Sequence, residues 1–180
     1  MQMRDYVVLM SRYNQWMNEK LYAAAGCLNP VDFTAQRGAF FGSVCGTLNH
    51  IQVADIIWLK RFAGHPSGHA ALEPACALPM PLALDQVLHE QLVPLTEQRR
   101  LLDTIIRQWA DSLSDQDLEQ VLHYANTKGL ELDRPMAGLV IHFFNHQTHH
   151  RGQASSLLIQ LGQDVGVTDL VAMLAEQHPR

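Results

Sequence analysis

The stretch Pro135–Gly162 reads PMAGLVIHFFNHQTHHRGQASSLLIQLG. It opens on proline, a favoured first-turn residue, and closes on glycine, so it predicts one long helix from Pro135 to about Leu161. From Met136 to Gly162 the only formally charged residue is Arg151. A helix so poor in charge is expected to be surrounded on most sides. Yet its middle holds His142, His146, His149 and His150, four of the chain's 10 histidines. Steps of four put His142, His146 and His150 on nearly one face, about one turn apart.

Working outward, the same apolar spacing recurs three times. A first helix is predicted from Asp5 to Leu28, with Tyr6, Leu9, Met10, Tyr13, Met17, Leu21, Ala24 and Leu28 as its stripe. Asn29-Pro30 ends it, because the residue before proline is pushed out of the α region. A second helix starts near Ser43, a good N-cap, and runs to Phe62 or Ala63. Pro66, Gly68, Pro74, Pro79 and Pro81 then make a long crossover loop. A third helix is predicted from Leu84 to Asp111, with Pro94 either kinking it or marking a false start. Ser114 and Asp115 cap one short turn. Val121–Tyr124 and Leu130–Leu132 flank Gly129 as a small β-hairpin. A short helix from Thr168 to Glu176 closes the chain. The fold expected is all-α, four long helices joined by a long crossover loop.

Composition narrows the function. The 180 residues suit a single domain over 1–180. At 47% hydrophobic the chain can bury a core without disulfides or a structural metal, so a metal site would be functional. A net charge of -5 argues against nucleic-acid partners, which need a basic face. Cys27, Cys45 and Cys76 are widely spaced with no CxxC, the pattern of a reduced, cytoplasmic protein. The first residues lack the apolar core of a signal peptide, and no run is long enough for a membrane span.

His146 and His150 form an H-x-x-x-H pair, a spacing that aims two imidazoles at one point on a helix. Gln147, Thr148 and His149 fill the interval, so the glutamate of an HExxH protease is missing. A third ligand must come from elsewhere. His65 and His69 lie in the proline-rich loop, His123 in the hairpin, His178 in the tail, and His89 on a solvent-facing part of the third helix. His50 differs: it sits within GTLNHIQVADIIW, on an otherwise apolar helix. Each could be a separately satisfied packing histidine. Burying several imidazoles without partners costs about 1–3 kcal/mol each, and one divalent ion satisfies several together.

FNHQTHHRGQ (Phe144–Gln153) resembles the NHxxxHRGQ signature of the DinB/YfiT-like family of small helical metalloproteins. YNQWMN (Tyr13–Asn18), GTLNHI (Gly46–Ile51) and VGVTDLVAML (Val165–Leu174) are similar to further family segments, in order and spacing. The resemblance implies a four-helix bundle with up-down-down-up topology and a metal at one end of the core. It implies His50, His146 and His150 as ligands, with positions open for water, substrate or a thiol cosubstrate. It also suggests a homodimer. Under it, His149 stands outside the ligand set, His142 is a supporting or core histidine, Gln153 orients His150 or His149, and Arg151 pairs with a carboxylate, at the dimer contact in one reading.

Two functions follow as expectations. The first is a divalent-metal enzyme (Zn, Ni or Fe) acting on a small-molecule substrate, as a thiol-dependent S-transferase or a related isomerase or hydrolase, with a low-molecular-weight thiol as cosubstrate. The alternative is a non-catalytic metal- or ligand-binding helical bundle. Three protein ligands plus an open position favour catalysis, and a closed four-ligand site favours structure.

Overall fold

The structure, a computed structural model, describes residues 2–177; His178 lies outside them. It is mostly helical with one small two-stranded sheet. The elements run α1 (Met3–Ala25), α2 (Pro30–Thr34), α3 (Val44–Phe62), a 3-10 turn (Ala70–Leu72), α4 (Glu73–Ala77), α5 (Leu92–Ser112), α6 (Asp115–Glu119), β1 (Val121–Ala125), β2 (Glu131–Pro135), α7 (Met136–Gln160) and α8 (Leu170–Gln177).

Local chemistry sets most boundaries. The Ser43 hydroxyl accepts the Gly46 N–H and starts α3. Ser114 and Asp117 form a reciprocal capping box that starts α6. The strands pair antiparallel, Val121 opposite Pro135 and Ala125 opposite Glu131, around Gly129 at φ 76°. The third long helix begins at Leu92, not Leu84. Pro94 falls in its first turn, where no N–H is needed, so it marks a start rather than a kink. Residues 84–91 are irregular, and the Asn49 side chain holds them by accepting the Leu88 and His89 N–H groups.

The four longest helices, α1, α3, α5 and α7, enclose two apolar clusters. One gathers Val7, Ile56, Phe62, Trp109, Phe143 and Phe144; the other gathers Leu21, Val44, Leu48, Leu95, Ala154 and Leu158. Truncating such a buried side chain to alanine typically costs about 2–5 kcal/mol. Between the clusters lies a polar layer. Arg99 bonds Asp55 at 2.5 Å and Asp103 at 3.1 Å; Gln147 bonds Asp55; Asn14 and Asn18 bond Asp103. Arg151, 2% exposed, completes the layer through Asn14 and Thr148. That corrects the dimer-contact reading of Arg151: its guanidinium is inside the chain. One face of α7 is also open to solvent, at Ile141, His142, Asn145 and His149, so the helix is less enclosed than its missing charge suggests.

Candidate metal centre

Gln147 and Arg151 turn inward to the polar layer. His146 and His150 precede them by one residue each, about 100° round the helix, and so face α3. There they meet His50. One ring nitrogen from each of His50, His146 and His150 lies within 4.8 Å of the other two. The Nε2 atoms of His50 and His146 are 3.2 Å apart. The group lies on α3 and α7, beside the polar layer that Gln147 and Arg151 enter.

The donor chemistry fits a cation. His50 Nδ1 is 2.7 Å from the Leu84 carbonyl, which only accepts, so Nδ1 carries the proton and Nε2 is a free lone pair. His150 Nδ1 is 2.8 Å from the Gln153 amide oxygen, with the same consequence. Gln153 is held in turn by giving an amide N–H to His149 Nε2 at 3.2 Å. Such outer partners fix the tautomer and aim of a metal-binding imidazole. With metal–nitrogen bonds of about 2.0–2.1 Å, neighbouring ligand nitrogens stand about 3–3.4 Å apart, the range the His50–His146 pair occupies.

Neighbours protect the site. The Phe41 ring stacks on His50 with centroids 3.7 Å apart and meets His150 edge-on. Gly46 allows this, since a Cβ there would collide with the Phe41 carbonyl oxygen. Burial lowers the pKa of all three histidines. For His146, burial and then the neighbouring imidazoles bring it down to about 3. All three rings are therefore neutral, the form that binds metal.

The other histidines divide by surroundings. His149 is exposed and serves Gln153. His142 is also exposed, corrected from a core position: its ring packs 5.2 Å from Trp58 and 6.0 Å from His146, lining a cavity beside the cluster. His89 lies in the irregular segment with Nε2 2.5 Å from Gln98. His123 is exposed and pairs with Asp133 and Glu131 across the hairpin.

His65 and His69, which the sequence places in the proline-rich loop, close on Asp117 as a second group. Its chemistry is different. One Asp117 oxygen accepts the Ser67 hydroxyl, and the other accepts the Ser114 N–H and hydroxyl. His65 Nδ1 accepts the Ser67 N–H at 3.2 Å, so the neutral ring carries its proton on Nε2. These groups tie the crossover loop to α6, whereas the first cluster presents free lone pairs.

A mostly helical chain with three converging imidazoles on two helices has the features of a metal-binding helical protein. The DinB family model matches residues 1–180, and the chain belongs to the DinB family. It is similar to Protein DinB of Bacillus subtilis (strain 168), at 26% identity over 93% of this chain and 92% of that one.

Proposed function

We propose that the protein is a cytoplasmic, divalent-metal-dependent enzyme whose ligands are His50, His146 and His150. The observation that carries this is the tautomer setting: Leu84 and Gln153 take the Nδ1 protons of two rings and leave their Nε2 lone pairs on a common point. Among the described residues the group has three members, which leaves coordination positions for a non-protein ligand. When bound, zinc, nickel or iron supplies Lewis acidity.

The chain's own residues position and shield. Phe41 keeps water from one side of His50, and Trp58, Ile57 and Leu84 line the small-molecule cavity beside it. The cysteines do not enter this cavity. Cys45 is buried against the His89 and Glu90 carbonyls, and burial raises its pKa. A nucleophile is therefore expected from a small thiol cosubstrate, which supports S-transfer or a related isomerisation or hydrolysis. The non-catalytic alternative has the same ligands and no turnover.

One domain over 1–180, arranged as an up-down-down-up four-helix bundle, is the architecture we infer. Contacts Asp55–Arg99 and Phe62–Trp109 progress in the same direction along α3 and α5, whereas His50–His150 and Trp58–His142 progress in opposite directions along α3 and α7. No helix of the described residues is long and apolar enough to cross a membrane. A two-fold homodimer is the assembly proposed, and light scattering showing only monomer mass at micromolar concentration argues against it. The functional test is elemental analysis of protein purified without a nickel column, with a screen of small thiols and electrophiles. About one ion per chain and thiol consumption support the reading; purified chain with no ion and no affinity for added zinc overturns it.

A further inference from the structure

The cavity beside the three histidines holds an arginine that pairs with no carboxylate among the described residues. Arg61, in the last turn of α3, is half-buried, and its guanidinium stacks 4.6 Å from the Trp58 ring centroid and 5.1 Å from that of Tyr124. Burial lowers its pKa, so the charge is held at some cost. Among the described residues no carboxylate pairs with it.

No acidic side chain lines the cavities around it. The cavity is about 280 Å³, and its lining includes His50, His146, His142, Trp58, Arg61 and Asn126 but no acidic residue. It adjoins a wider cavity of about 490 Å³ that shares Arg61 and Tyr124, adds Lys60 and His123, and again contains no acidic residue. On a chain of net charge -5 this absence is a local feature. The nearby Asp85 lines a separate cavity with Phe40 and Phe41.

We infer that Arg61 is the anchor for a small organic carboxylate, bound with its charged end on the guanidinium and its apolar body against Trp58, Ile57 and Leu84, beside the histidine cluster. A guanidinium stacked on two rings keeps its planar fork of donors, which matches a carboxylate in two parallel hydrogen bonds. A phosphoryl group carries more charge and calls for several cations or backbone N–H groups, whereas Arg61 is the one arginine or lysine in the inner cavity. The volume lies at the lower edge of ligand pockets and suits a molecule of few heavy atoms. The inference rests on the metal-centre reading only for what happens next to the anchor.

The test is calorimetric titration of the full chain, zinc-loaded and zinc-free, with benzoate and butyrate, and with benzamide as the neutral counterpart. The proteins are wild type, Arg61→Gln and Arg61→Lys, with zinc content and circular dichroism measured on each. Expected are carboxylate binding by the wild type, weakening of about tenfold or more in Arg61→Gln, partial recovery in Arg61→Lys, and benzamide binding that ignores the substitution. The dependence on Arg61 should persist without zinc. Carboxylate binding that is absent in the wild type, or equal in Arg61→Gln, overturns the anchor. If zinc is still taken up in either case, the metal reading stands. Failure to take up zinc with Arg61-dependent binding intact sinks the metal reading alone.

Discussion

His50 and His146 face each other through Nε2 atoms 3.2 Å apart, although the Leu84 carbonyl has already claimed the proton on the other nitrogen of His50. A free lone pair on His50 that close to another ring nitrogen calls for either an N–H on His146 Nε2 or a metal ion between them. His150 brings a third nitrogen to the same place, its own proton directed at Gln153. Three converging bases, two of them with their donors turned outward, make a poor hydrogen-bond network and a good cation site.

Removing one of the three should cost metal and not fold. His150→Ala is expected to weaken zinc binding by more than about 100-fold, beyond what loss of a supporting residue does. The helical circular dichroism should be nearly unchanged, with a modest fall in melting temperature, because the apolar clusters around Phe143 and Leu158 are untouched. Zinc titration with a competing chelator reads the first quantity and thermal denaturation the second.

Gln153 touches His150 and His149 and is not among the converging groups. Gln153→Ala is expected to weaken zinc binding about 10–100-fold by freeing the His150 ring, with the ion still bound at high concentration. His149→Ala should have a smaller effect in the same direction, since it removes only the acceptor that steadies Gln153. Zinc affinity unchanged in Gln153→Ala would show that the ring needs no such support.

The polar layer is a separate determinant of stability. Arg99 is buried between Asp55 and Asp103; burial disfavours its charge, but the two carboxylates outweigh that and hold its pKa above the usual arginine value. Asp55→Ala leaves Arg99 half-paired and the Gln147 amide without its acceptor. Breaking a buried pair from one side costs about 3–5 kcal/mol. Urea unfolding should show a loss of that order, with the unfolding slope unchanged.

How much of this was readable in advance depended on the range of the interaction. Ser43, Gly129 and the uniform run from Met136 announce local structure, and α3, the hairpin and α7 stand within a few residues of where the sequence puts them. The H-x-x-x-H pair is local too. Long-range pairings left no such mark. Asp55 and Arg99 are 44 residues apart, and Arg151 and Asn14 are 137 apart, so no local pattern shows the polar layer, and the resemblance pairs Arg151 with a carboxylate, at the dimer contact in one reading. Leu84 to Gln91 has helix-like apolar spacing, yet Asn49 holds that backbone in an irregular path. That path carries the Leu84 carbonyl to His50, so the segment whose spacing resembles a helix is the one that sets the His50 tautomer. Pro30–Thr34 and Ala70–Ala77 are short turns without a long stripe to reveal them.

Acidification joins the site to the fold, and its sign can be worked out. Burial lowers the pKa of His50 and His150, and burial with the neighbouring imidazoles takes His146 to about 3. In the unfolded chain each titrates near ~6.5. Between these values the unfolded state binds more protons than the folded one, so stability falls as pH falls. The contribution is complete above about pH 6.5 and is lost progressively toward about pH 3. His123 shifts the opposite way through Asp133, but it is fully exposed and its effect is screened. A bound ion adds to the same trend, since protons compete with it for three lone pairs. Metal-free protein should therefore keep a constant urea midpoint from about pH 8 to about pH 7 and lose it steadily below about pH 6.5. Zinc-loaded protein should release its ion below the same point, more steeply than a single titration. At about pH 5 the helical spectrum should persist, because the two apolar clusters, which contain no histidine or carboxylate, hold α1, α3, α5 and α7 together. Circular dichroism and zinc content followed on the same samples check all three. If a chelator at about pH 8 unfolds the protein, where every one of these histidines is already neutral, the ion is holding the fold and the case for an enzyme loses its main support.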